Sequence, residues 1–261
     1  MPELPEVEVT RRVLEPLLKE RRLLSCRPIA PSFYRLPPSP ALRAVEGLRV
    51  LSVGRAGKYL VLALDGGKKL VLHLGMSGRV ALNGDGGHKR LELRFEGAPP
   101  VIVFDPRRFG RVLFDLPSLG PDPLAADFRP ETLARAFAGR RAPVKALLMD
   151  QKLVAGLGNI YATEALFKAG VRPQKAAGRL SRAELSRLAG AVGEVLSEGI
   201  RLGGSTLRDK AFLDPLGRPG RAQEALSVYG RGGEGRCGHA LKITSRVIAG
   251  RRAIYCPICQ K

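Results

Sequence analysis

Proline follows the initiator methionine and acidic residues crowd behind it, in the order Met1-Pro2-Glu3-Leu4-Pro5-Glu6-Val7-Glu8. Once a methionine ahead of so small a residue is trimmed, Pro2 carries a free secondary amine beside the Glu3 carboxylate. An α-amino group titrates at about 7.7–8.0, so a useful fraction is neutral at working pH. A neutral amine attacks electrophilic carbon, as catalytic lysines do. The iminium formed by a secondary amine is cationic without a proton and acts as an electron sink. The same letters also suit an ordinary helix start, with Pro5 in the first turn and Glu6 and Glu8 at the positive end of the dipole. The rest of the chain decides between the two readings.

Near the other end, Cys237-Gly238-His239 is followed, sixteen residues later, by Cys256-Pro257-Ile258-Cys259. Two thiolates at C-x-x-C spacing reach one tetrahedral ion from a tight turn, and a distant ligand pair closes the shell. Four N/S ligands leave no open position, so one structural Zn2+ is expected, against a rival of buried free thiols and a surface histidine. Cys26 stands alone and reads as a core thiol. Lys242, Arg246, Arg251 and Arg252 lie between the ligand pairs and would present cations to a duplex.

Three further stretches carry candidate chemistry. Gly156-Leu157-Gly158-Asn159-Ile160-Tyr161 makes a tight turn into a helix whose first N–H groups suit an anion, with Lys152 one turn earlier; helix C-caps look similar. His73-Leu74-Gly75-Met76-Ser77-Gly78 and Asp105-Pro106-Arg107-Arg108-Phe109-Gly110 set apolar wedges beside arginines, which suits entry into a base stack. Core packing is the rival reading for Met76 and Phe109. Lys58 adds a cation at a strand start.

Two kinds of scaffold are needed to position these groups. Val7, Leu14, Leu17 and Leu18 mark an amphipathic helix over 6–20, which Pro16 is expected to kink or end early. Residues 27–40 read as loop. From Leu48 the period becomes two, with strands expected at 49–53, 59–64, 69–74, 91–95, 101–104 and 111–114. Turn residues at 65–67, 83–87 and 97–100 separate them, which predicts an antiparallel sandwich. After a stretch holding four prolines, 115–130, the pattern turns helical at 131–138, 143–154, 160–168 and 181–202, the last opened by a Ser181/Glu184 capping box. Residues 203–235 read as irregular and mobile, and 237–259 as a β-hairpin. The expected class is α+β, with domains at 1–114, 131–235 and 236–261 and a linker at 115–130.

The chain's 261 residues suffice for two cores. The 44 Lys+Arg against 24 Asp+Glu leave a formal net charge of +20, which calls for a polyanionic partner, nucleic acid first. A membrane surface fits poorly, because no long basic amphipathic helix is evident. Without an apolar run of spanning length or a signal-peptide pattern, a cytoplasmic protein is expected.

Six separated motifs, in order, resemble the bacterial formamidopyrimidine-DNA glycosylase family over Pro2 to Cys259. They are Pro2–Glu8, Gly57-Lys58-Tyr59-Leu60, His73–Gly78, Asp105–Gly110, Gly158-Asn159-Ile160-Tyr161 and the terminal cysteine finger. The resemblance implies an N-terminal β-sandwich with a helix, then a helix-two-turn-helix domain carrying a β-hairpin zinc finger. It implies a monomeric bifunctional enzyme that excises oxidised purines (formamidopyrimidines, 8-oxoguanine) from double-stranded DNA. The enzyme then nicks the strand by β,δ-elimination. Pro2 would be the nucleophile and Glu3 the general acid, with Lys58 and Arg251 as further catalytic groups that hold phosphates. Glu6 and Lys152 would support the site. Met76, Arg107 and Phe109 would fill the gap left by the everted nucleotide, and His88, Asn159 and Tyr229 would complete the DNA contacts. Cys237, His239, Cys256 and Cys259 would hold zinc. The finger departs from the family pattern: His239 replaces a cysteine, and Arg236 stands where the first cysteine would be. Gly217–Glu224, matching the loop that closes over the lesion, has Arg221 and Ala222 where aromatics often occur. The alternatives are an endonuclease VIII-like enzyme for oxidised pyrimidines and a non-catalytic zinc-containing DNA-binding protein.

Overall fold

Alternating apolar residues over the first half of the chain build two four-stranded antiparallel sheets. The structure is a computed structural model that describes residues 2–29, 35–84, 86–207 and 212–261, with residues 245 and 246 as backbone alone. Met1 and the Arg246 side chain therefore lie outside the described residues. The chain divides into two units, Met1–Pro117 with Gly199–Gln223, and Ser118–Glu198 with Glu224–Lys261.

In the first unit, helix α1 (Leu4–Leu18) is followed by β1 (Leu23–Pro28), α2 (Ser39–Arg43) and seven more strands. These are β2 (Val50–Ala56), β3 (Tyr59–Leu64), β4 (Lys69–His73), β5 (Arg79–Leu82), β6 (Lys89–Phe95), β7 (Val101–Phe104) and β8 (Arg111–Leu113). The sheets run β1-β6-β7-β5 and β2-β3-β4-β8. One core joins both to α1: Val7, Leu14 and Leu18 pack with Leu23, Leu91, Val103, Leu60, Leu72 and Val112. This is the expected sandwich.

Local differences from the sequence reading have physical reasons. Pro16 does not end α1 early. It sits in the last turn, where its missing N–H leaves only Arg12 O without the usual helical donor, and the Lys19 N–H still returns to Glu15 O at 3.0 Å. The stretch expected to be loop at 27–40 includes the end of β1 and the start of α2. Strands β1 and β5 escape the period-two reading: β1 buries every third residue and carries a register shift between Leu23 and Ser25, and β5 spans only Arg79–Leu82.

In the second unit, α3 (Pro130–Phe137), α4 (Val144–Met149), α5 (Asn159–Lys168) and most of α6 (Arg182–Arg201) are joined by turns. Helix α4 is half the expected 143–154. Asp150 turns extended, and Gln151 takes over the freed backbone groups. Its Nε2 donates to Met149 O and Leu157 O, and its Oε1 accepts the Gly156 N–H. The stretch 115–130 is not a free tether from Ser118 onward: Gly120 N–H donates to Gln151 O, and Ala155 N–H to Pro121 O. Strands β9 (Lys242–Ile248) and β10 (Arg251–Tyr255) form the terminal hairpin. Ala249 and Gly250 turn it with φ of +49° and +77°, as a type I′ turn requires. Helix α7 (Ala222–Ala225) lies inside the stretch expected to be irregular, 203–235. No helix among the described residues is long and apolar enough to cross a membrane.

Candidate nucleic-acid site and metal cluster

The N-terminal residues are buried and pinned. Glu3 caps α1 in a reciprocal box with Glu6, satisfying donors that a helix start leaves open. Glu3 N–H donates to Glu6 Oε2 at 2.8 Å, while Ser205 N–H donates to Glu6 Oε1 at 2.7 Å. Glu6 thus ties the second peptide of the chain to a segment two hundred positions on in sequence, inside the same unit. A side chain at Gly204, whose φ is +80°, would press within 3.1 Å of Glu6 and 2.9 Å of the Phe212 ring. Pro2, Glu3, Glu6 and Lys58 are all buried. Lys58 stands in the two-residue turn of β2 and β3, after Gly57 at φ +55°.

The two odd loops are knitted into one ledge. Ser77 Oγ–H donates to Asp105 Oδ1 at 2.8 Å, Gly110 N–H donates to Oδ2 at 2.7 Å, and Arg107 N–H donates to Ser77 Oγ at 3.2 Å. Gly75 lies so close that a Cβ there would meet the Phe109 carbonyl carbon at 2.5 Å. Met76 and Phe109 are therefore not core residues: Met76 is half-buried and Phe109 is 43% exposed, with the Arg107 guanidinium 5.2 Å from its ring centre. His88 joins the ledge through its backbone, its carbonyl accepting the Asp105 N–H. The structure brings Met76, Arg107 and Phe109 onto the same ledge.

His73 lies behind this ledge against Tyr59, ring centres 4.8 Å apart, and accepts the Gly75 N–H on Nδ1 at 3.2 Å. Burial, then the Arg111 and Lys58 charges, push its pKa down to about 4, with Asp105 opposing. The folded value is below the usual 6.5, so the unfolded chain binds the proton first as pH falls. The stabilisation is whole above about pH 6.5 and is lost towards pH 4. Denaturant titrations at pH 7 and pH 5 are expected to show a larger loss for the wild type than for His73→Asn; equal losses would remove His73 as the cause.

In the second unit, Asn159 and Tyr229 line one cavity of about 590 Å³ together with Lys145, Thr163, Thr244, Arg252 and three apolar or glycine positions. Arg251 is exposed on β10 and does not line it. Lys152 is exposed on the turn after α4, its N–H held by Asp150.

The four finger residues expected to bind metal converge. Their ligand atoms lie within 4.8 Å of one another. Cys237 and Cys256 sulfurs are 3.8 Å apart, and His239 Nδ1 is 3.7 Å from Cys256 Sγ and 3.4 Å from Cys259 Sγ. A tetrahedron with Zn–S legs of about 2.3 Å and Zn–N legs of about 2.0–2.1 Å has edges of roughly 3.8 and 3.6 Å. The donor set fits a closed structural metal site. Burial opposes ionisation of Cys256, but N–H groups of Cys259 and Ile258 outweigh it and bring its thiol down to about 7.

Residues 1–112 match the formamidopyrimidine-DNA glycosylase N-terminal domain, and residues 119–211 match the H2TH domain of the same glycosylase. The chain belongs to the formamidopyrimidine-DNA glycosylase family. A formamidopyrimidine-DNA glycosylase of Halorhodospira halophila is 45% identical over 275 residues, covering 100% of each chain. The crystal structure of MutM (Fpg) from Thermus thermophilus superposes with a TM-score of 0.88 at 42% identity, covering 99% of this chain and 98% of that one. A Lactococcus lactis Fpg variant in complex with Fapy-dG-containing DNA gives 0.87 at 31% identity, with 100% of each chain covered.

Two residues of this family member escaped the sequence reading. Lys145 is 2% exposed and donates to Thr163 Oγ1 at 2.9 Å; in sequence it looks like a solvated lysine. Glu164, 5% exposed, accepts the backbone N–H groups of Ser227, Val228 and Tyr229 at 2.7, 3.0 and 2.7 Å. Only the burial of α5 on all sides signals it: Ile160 to Leu166 is an unbroken buried run.

Proposed function

We propose that this glycosylase removes oxidised purines, formamidopyrimidines and 8-oxoguanine, from double-stranded DNA and then cleaves the strand as a lyase. The observation that carries the reading is the buried Pro2 held against the Glu3/Glu6 box. After loss of Met1, the Pro2 nitrogen attacks C1′ of the everted nucleotide and passes its proton to the Glu3 carboxylate, while the bond from C1′ to the base breaks with its electron pair leaving on the base, which takes a proton from water. The C1′–O4′ bond then opens, with Glu3 giving its proton to O4′. The resulting iminium acidifies the C2′ hydrogen, whose loss expels the 3′ phosphate; loss of the C4′ hydrogen next expels the 5′ phosphate. Water finally releases the sugar remnant and returns the amine.

The other groups work on binding and eversion. Lys58 and Arg251 hold phosphates beside the reacting sugar, and Glu6 and Lys152 support the site. Met76, Arg107 and Phe109 enter the vacated stack, offsetting an unstacking cost of about a few kcal/mol. His88, Asn159 and Tyr229 contact the DNA. Cys237, His239, Cys256 and Cys259 hold one zinc ion, which fixes the finger and takes no part in the chemistry. The enzyme acts as a monomer in the bacterial cytoplasm. Relatives crystallised with DNA carrying Fapy-dG or an abasic site support the substrate class.

Borohydride added to protein and a duplex with an abasic site tests this reading. The expected product is a covalent adduct whose peptide map places the sugar on Pro2. An adduct on a lysine, or none, would overturn it.

A further inference from the structure

Glu8, buried on α1, faces three guanidinium groups. Arg11 Nε and Nη2 donate to its two oxygens, both at 2.9 Å, and Arg12 Nε donates to Oε1 at 2.8 Å. Those two arginines stand on α1 itself and already pair the carboxylate within the helix. The third, Arg55, comes from β2, and its Nε donates to Glu8 Oε2 at 3.3 Å. Burial works against the Glu8 charge, but hydrogen bonds from Arg11 and Arg12 and the charges of Arg11 and Arg55 hold its carboxyl below the ordinary value. The Arg55 side chain is itself only 10% exposed, and its Nη1 donates to Gly57 O at 3.3 Å. That carbonyl belongs to the same planar peptide as the nitrogen of Lys58. One guanidinium therefore spans from the helix to the peptide that aims Lys58.

We infer that Arg55 is a positioning residue, acting with Glu8 to hold the Lys58 turn against the helix that carries Pro2 and Glu3. This assignment rests on the lyase reading above, in which Lys58 grips a phosphate beside the sugar that Pro2 attacks. The amine comes from the start of α1 and the ammonium from the turn of β2 and β3, so the two elements must keep their register for both to serve one nucleotide. Arg55 sets that register with donors fixed in a planar fork. A misplacement of about 1 Å at a reacting centre costs about 10²-fold in rate. Enclosed as it is, Arg55 touches no phosphate, and its effect on the reaction passes through Lys58.

The test compares the wild type, Arg55→Ala, Arg55→Lys and Lys58→Ala with the two double variants that combine each Arg55 change with Lys58→Ala. Cleavage of an abasic duplex is followed in a single turnover at saturating protein. Affinity for a non-cleavable abasic analogue is measured across salt concentrations, and denaturant unfolding shows which variants fold. Arg55→Ala is expected to lower the saturated rate by roughly 10- to 100-fold, with a smaller change in affinity. Arg55→Lys keeps the charge beside Glu8 without the fork and should lose less. With Lys58 already removed, the same Arg55 changes should cost less than about 2-fold more, the non-additivity of groups that act as a unit. An equal loss with and without Lys58, or a wild-type rate in Arg55→Ala, overturns the inference. So does a salt slope that Arg55→Ala flattens by a further 0.9 or so in the absence of Lys58, because Arg55 would then hold a phosphate itself. If Arg55→Ala does not fold, Arg55→Lys carries the same cycle, and a wild-type rate or a loss independent of Lys58 overturns it there. Borohydride trapping of the wild type separates the two readings. Trapping on Pro2 with a loss independent of Lys58 sinks only the role of Arg55. Wild-type cleavage by Lys58→Ala sinks the phosphate grip and Arg55 with it, and no trapping sinks the lyase.

Discussion

Strand cleavage at an abasic site is expected to fall by roughly 10²-fold or more in Pro2→Gly, and to vanish when a residue is left in front of Pro2. The two changes act on the same atom in different ways. Glycine keeps an amine but makes it primary, so its imine must gain a proton before it can draw electrons from C2′. Losing a correctly protonated group at the reacting centre costs about 10²–10⁴-fold. A retained residue converts the nitrogen to an amide whose lone pair is delocalised into the carbonyl, and no nucleophile remains. Neither change touches the Glu3 N–H to Glu6 Oε2 bond or the Ser205 N–H to Glu6 Oε1 bond, so the helix start should stay in place. Cleavage rates on an abasic duplex, with binding to a non-cleavable analogue measured alongside, check this. Full cleavage by a chain shown by mass spectrometry to keep its extra residue would remove the amine from the mechanism.

The ends of the chain were the most legible parts, because their chemistry is local. Pro2, Glu3 and Glu6 lie within about one helical turn, and a C-x-x-C pair declares its geometry in four letters. The strands of the sandwich were legible wherever alternation ran for five or more residues, as in β3 and β6. What the letters hid depends on distant partners. Glu6 was read as a local helper, yet its second oxygen serves Ser205, a contact no window of sequence contains. The ledge of Met76, Arg107 and Phe109 depends on Asp105 reaching Ser77 and Gly110; the sequence showed these residues but not what holds them. Helix α4 was overestimated because Gln151 replaces helical bonds with side-chain ones. Arg251 and Arg252 differ by one position, and only the register of the hairpin tells which of them faces the cavity.

Removing the carboxylate of Glu164 is expected to destabilise the second unit strongly. In Glu164→Ala the N–H groups of Ser227, Val228 and Tyr229 lose their acceptor together. A buried donor left unsatisfied costs about 1–3 kcal/mol, so three donors set the scale at roughly 3 kcal/mol or more, relaxed in part by water. Glu164→Gln keeps the shape and one acceptor oxygen but turns the other oxygen into a donor facing N–H groups, so it should fall between alanine and the wild type. The loss should be felt where Tyr229 stands, since that residue lines the cavity and its backbone hangs from Glu164. Denaturant unfolding gives the stability, and amide hydrogen exchange at residues 227–229 gives the location. Faster exchange there, with little change in the strands of the first unit, is the expected pattern. Wild-type protection at these three amides in Glu164→Ala would mean the carboxylate is not what holds them, and Tyr229 would then need another anchor.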